Sequence, residues 1–208
     1  MNNASHAPEP GLEIAPPSAL ELLWLNHRGT FLGGAAALVV VLVVVLGVLA
    51  NNHANRIASE TLLANASDAS GWNEVISKYP RSAAAGDAML LLAASLRDAG
   101  KIEESDALYS RFSEAFPLSP LAVSGLLGRA SNARVTGHPE QALSCYQQAT
   151  TAYAQSYGAP YALFSAARLL SQQGKTEEVK RVLQALGGTY PASASAQMAG
   201  VAPAPAAN

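Results

Sequence analysis

The chain has 208 residues, half of them hydrophobic and only 13% charged, with a formal net charge of −2. Past residue 56, eleven lysines and arginines face twelve aspartates and glutamates, so no basic stripe exists and nucleic acid is not an expected partner. The single cysteine, Cys145, excludes an internal disulfide, and its helical setting predicts a small buried hydrophobe rather than a reactive thiol.

Residues 1–17 are rich in Asn, Ala, Pro and Glu with no apolar period, and are expected to be disordered. Ser18-Ala19-Leu20-Glu21 has capping-box spacing, which predicts a short amphipathic helix within a cytoplasmic tail over 1–29. Gly29 and the Gly33-Gly34 pair mark either a break or a close helix contact. Gly33 and Ala37 have the small-xxx-small spacing of membrane dimers, a pattern that also arises by chance in such spans.

Residues 31–50 carry no charge. As a helix they would span about 30 Å, the thickness of a bilayer core, and a transmembrane helix is predicted over 30–50. A buried core helix is excluded, because nothing else in the chain is large enough to wrap it. A signal peptide cut after Ala50 is the rival, although the apolar stretch exceeds an ordinary signal core. Arg28 and the amino terminus on one flank nearly balance Arg56 on the other, so charge hardly sets the orientation. Trp24 fits an interfacial position.

Beyond the span, Asn51–Asn65 can continue as helix, with Ile57, Leu62 and Leu63 on one side, and Trp72–Tyr79 reads as a further helix. Gly100, Gly137 and Gly174 then stand in matching settings 37 residues apart. Each ends an Ala- and Leu-rich helical run and precedes a second one. An alanine lies seven residues before each glycine (Ala93, Ala130, Ala167) and a bulky residue nine after (Tyr109, Tyr146, Leu183). An aromatic leads into a turn at Tyr79-Pro80, Phe116-Pro117, Tyr157–Pro160 and Tyr190-Pro191. A fixed period of this kind predicts a solenoid of stacked helix pairs. The expected fold is all-α. A solenoid over 51–191 comprises clear units at about 83–119, 120–156 and 157–191, preceded by a worn one, and 192–208 forms a patternless, disordered Ala/Pro-rich tail.

On these residues the chain resembles the tetratricopeptide repeat family, although its unit is longer than the usual 34 residues or so. It also lacks the family's tryptophan, and Ser105 and Val179 stand where an alanine is usual. The resemblance implies a scaffold that binds protein through the face lined by the first helices. Carried over position by position, that groove comprises Asp87, Leu90, Ala94, Arg97 and Asp98, then Ser124, Leu127, Ser131, Arg134 and Val135, then Tyr161, Phe164, Arg168, Ser171 and Gln172. The principal peptide-groove candidates are Leu90, Arg97, Leu127, Arg134, Tyr161, Phe164 and Arg168. An arginine row beside an apolar stripe would suit an extended, partly acidic segment; the same residues equally fit ordinary half-buried faces. The lysine and asparagine set with which related repeats clamp a terminal carboxylate is missing.

The layout of tail, one membrane helix and helical-repeat domain resembles the ancillary subunit of the bacterial Sec translocon. That resemblance implies a non-catalytic inner-membrane protein, amino terminus in the cytoplasm and repeats in the periplasm, linking exported chains to chaperones. The recurring Tyr/Phe-Pro-x-Ser also resembles periplasmic repeat proteins of envelope assembly and division. No catalytic, cofactor or metal site is expected. The four histidines are scattered, and Glu103-Glu104 and Glu177-Glu178 sit in first helical turns, where the dipole favours them. No small-molecule substrate is implied.

Overall fold

A computed structural model describes residues 18–202, and these are all-helical or in short turns. The chain divides into two units, one ending at Asn52 and one beginning at His53.

In the first unit, helix α1 (Ala19–Asn65) continues through Gly29, Gly33 and Gly34 without interruption, so the break allowed by the sequence is absent. Glycine lowers helix propensity by about 1 kcal/mol per residue, too little to interrupt so long a run of Ala, Leu and Val. Every side chain from Leu32 to Ala50 is exposed. The helix is long and apolar enough to cross a membrane, and its length and composition suit either an anchor or a signal sequence near the amino terminus. The proposed disorder of residues 1–17 lies outside the described residues.

The second unit holds the end of α1, then α2 (Ala69–Lys78), α3 (Ala83–Asp98), α4 (Ile102–Ala115), α5 (Ala122–Val135), α6 (Pro139–Ala152), α7 (Ala159–Gln172), α8 (Thr176–Thr189) and α9 (Ala194–Met198). Each first helix sits between two second helices: α3 between α2 and α4, α5 between α4 and α6, α7 between α6 and α8. First helices therefore form one face and second helices the other.

The periodic residues build this arrangement. Gly100, Gly137 and Gly174 have φ of 78°, 74° and 73°, a left-handed conformation that costs glycine nothing. Behind each, the next amide reaches back across the turn: Lys101 N to Leu96 O (2.8 Å), His138 N to Ala133 O (2.8 Å) and Lys175 N to Leu170 O (3.0 Å). This is the Schellman closure of a helix end. Ala93, Ala130 and Ala167 are all buried, where a larger side chain would separate the paired helices.

Two cores result. One gathers Val75, Ile76, Met89, Leu92 and Phe112, with Leu62 and Leu63 from the end of α1 packed against it. The other gathers Val123, Leu126, Tyr146 and Leu169 around Cys145, whose thiol pKa burial pushes up. The thiol is thus held in its inert, protonated form.

Two expectations require correction. The tail from Ala192 is not patternless: Ser193 caps α9, accepting from Ala196 N at 3.1 Å, and Gly200 at φ 70° repeats the glycine closure with Val201 N to Ala196 O at 3.0 Å. Short Ala-Ser runs hide a helix whose evidence is its cap. Residues 203–208 lie outside the described residues. The aromatic that ends α6 is Tyr153, one period after Phe116, not Tyr157. Pro160 correspondingly opens α7 rather than stopping the helix before it, since the first helical turn needs no proline N–H. Leu183 is only half-buried, unlike Tyr109 and Tyr146, because α9 covers α8 for five residues where earlier second helices meet a full first helix.

Candidate functional site: the first-helix face

The groove candidates do not all behave alike. Leu90 and Leu127 are half-buried and brace the two cores, so they form the floor of the face more than a free apolar stripe. Phe164 is half-buried too, with the Arg168 guanidinium 5.9 Å above its ring centroid. This is the distance of a cation–π contact, which holds the guanidinium over the ring. Tyr161 and Arg168 are exposed.

Arg97 and Arg134 are each steadied by a tyrosine one helix away. Arg97 Nη1 lies 3.4 Å from the Tyr109 hydroxyl, and its Nε is 3.5 Å from Asp98. Burial pushes the Tyr109 phenol pKa up, and Arg97 beside it offsets part of that rise. One period later the same pairing recurs: burial raises the Tyr146 pKa, and Arg134 and Ser165 at its hydroxyl offset it. In the third unit both members change together, to Ser171 and Leu183. The arginine is present where a tyrosine hydroxyl holds it and absent where that hydroxyl is missing.

Arg134, Tyr161, Arg168 and Gln172 line one small cleft between α5 and α7. A larger cleft of about 510 Å³ adjoins it at the carboxy-terminal ends of the same helices, lined by Ser131, Arg134, Val135, Leu169 and Gln172. Arg134 and Gln172 belong to both. The structure thus brings Arg134, Tyr161 and Arg168 together, and leaves Arg97 outside these clefts, turned to Tyr109 and Asp98.

Some contacts escape sequence reasoning. Ser124 hydrogen-bonds the Tyr157 hydroxyl, tying the α6–α7 turn to the first-helix face. Asn132, buried, donates from Nδ2 to Ser105 Oγ at 3.0 Å, and Ser105 donates to Ala93 O at 2.7 Å. That chain joins α3, α4 and α5 and explains a serine where the repeat usually has alanine. Its only signal in the sequence is the departure from the repeat pattern at Ser105.

No group of three or more His, Cys, Asp or Glu side chains among the described residues could hold a metal ion. What the face presents is a polar surface edged by Tyr161 and Phe164.

Comparison with known families agrees with this geometry. Residues 87–119 and 124–198 each match a tetratricopeptide repeat family. No curated protein matches the chain. The chain therefore carries tetratricopeptide repeats, a module that typically serves as a non-catalytic scaffold for protein–protein interaction.

Proposed function

We propose that the protein is a single-pass adaptor of the bacterial inner membrane, with its repeat domain exported and holding a protein partner against the first-helix face. The observation that carries this reading is the pairing of tetratricopeptide repeats with an exposed, charge-free helix over residues 32–50. An apolar rod of that length is stable only in lipid or after removal. Arg134, Tyr161 and Arg168, gathered in one cleft, support the choice of face. By layout the adaptor works near the protein-export translocon and its chaperones.

A second reading follows from the same helix acting as a signal sequence. Cut after Ala50, the domain becomes a soluble scaffold of envelope assembly or division. The caps at Ser82 and Ser193 give the recurring Tyr-Pro-x-Ser a structural explanation, so that motif lends this reading little weight.

Intact mass of the membrane-extracted protein, combined with protease protection in spheroplasts, tests the proposal. A full-length amino terminus with a repeat domain accessible only from outside supports the adaptor. A chain beginning at Asn51 supports the soluble scaffold. A domain protected inside the cell contradicts both.

A further inference from the structure

Charge is divided unevenly along the first-helix face. In the first unit that face carries Asp87, Arg97 and Asp98. Arg97 is already engaged by Asp98 and the Tyr109 hydroxyl. Asp87 is half-buried, and among the described residues it has neither an ion pair nor a hydrogen bond. Burial raises its carboxyl pKa with no cation near enough to offset the rise.

The other end is the reverse. α5 and α7 contain no acidic residue at all. Arg134 touches the Tyr146 hydroxyl and Arg168 the Phe164 ring, and neither meets a carboxylate among the described residues. Arg129, which leaves this face for α4, does find one, Asp106 at 3.3 Å. So an uncompensated anion stands at one end of the stack and two uncompensated guanidinium groups share a cleft toward the other.

We propose that the groove is charge-ordered: it takes an extended peptide segment whose aspartates or glutamates seat against Arg134 and Arg168, and whose lysine or arginine seats against Asp87. This rests on the first-helix face being the partner-binding face. Guanidinium groups suit carboxylates because their planar fork donates in pairs. Arg168 already rests over the Phe164 ring, so less side-chain freedom is lost when it binds. Asp87 is an uncompensated, partly desolvated charge in the free protein, and an incoming cation relieves it. A segment laid the other way meets like charge at both ends, the arrangement that rejects wrong partners. With a screening length of about 8 Å at physiological salt, the two ends act as separate determinants.

The test uses the full-length protein in detergent and a synthetic probe. The probe has a block of glutamates, a leucine–serine spacer and a pair of lysines, with a benzophenone at the glutamate end or at the lysine end. Benzophenone at the glutamate end should label α7, and at the lysine end α3. Arg134→Gln with Arg168→Gln should weaken binding by about fivefold per arginine removed. Asp87→Lys with Arg134→Glu and Arg168→Glu, shown by circular dichroism to keep its helicity, should exchange the labelled helices. Labelling of α3, α5 and α7 without regard to probe end overturns the charge order and leaves the face intact as a binding surface. Labelling of α4, α6 or α8 overturns the face as well. Absence of saturable binding overturns the proposed peptide class.

Discussion

Substituting Gly128 by alanine sets two opposing effects against each other. A Cβ there would press on three ring carbons of Tyr109, the farthest at only 2.6 Å. The ring has little room to retreat: Tyr109 is 5% exposed and its hydroxyl is held by Arg97. Overpacking of this kind costs about 1–3 kcal/mol, while alanine gains about 1 kcal/mol over glycine inside a helix. In a Tyr109→Leu background the ring is gone and only the helical gain remains. The effect of Gly128→Ala should therefore differ between the two backgrounds by the clash itself, about 1–3 kcal/mol. Urea unfolding of the four full-length proteins, followed by far-ultraviolet circular dichroism, measures that difference. A coupling below about 0.5 kcal/mol would refute the reasoning, because independent sites add to within that margin. One period on, Ser165 faces Tyr146 and lies at its hydroxyl, so the second interface solves the same crowding with a polar contact.

Asp87→Asn should raise the melting temperature near neutral pH. The folded carboxyl pKa is raised by burial above its ordinary 3.8; the stability tied to its protonated form is complete below that pH and is lost as pH rises through the folded value. The advantage of asparagine should vanish in scans below pH 3.8, and equal melting temperatures at neutral pH would contradict the burial argument. Gly174→Ala, at φ 73°, should cost roughly 1–2 kcal/mol, and Gly174→Asn less, by urea titration. Asn132→Ala should cost roughly 1–3 kcal/mol, since it breaks the buried chain through Ser105; an unchanged urea midpoint would show that chain to be idle.

How much was legible depended on whether a feature is local. The glycine closures, the helix-pair alanines and the apolar helix over residues 31–50 each follow from a few neighbouring residues, so period and composition reveal them. Gly200 belongs to the same series but follows a helix of five residues, too short for apolar periodicity to mark it. Tyr157 stands beside Gly and Pro, so local pattern marks it as the aromatic ending α6. The true equivalent, Tyr153, has neither neighbour and is recognised only by its 37-residue distance from Phe116. On the first helices, residue type and spacing single out Arg97, Arg134 and Arg168 but not the side chains they touch. The Arg97–Tyr109 contact links residues 12 apart on two helices, and Ser105–Asn132 links residues 27 apart across a unit boundary. Such pairings are decided by packing, which local pattern does not encode.

The most direct test of the central claim compares two photoreactive positions in living cells, Tyr161 on the first-helix face and Gln148, exposed on α6. Adducts with a defined protein partner at Tyr161, absent at Gln148 and lost on Arg134→Glu with Arg168→Glu, are the predicted result. Adducts at Gln148 with none at Tyr161 would place the working surface on the second helices and contradict the account.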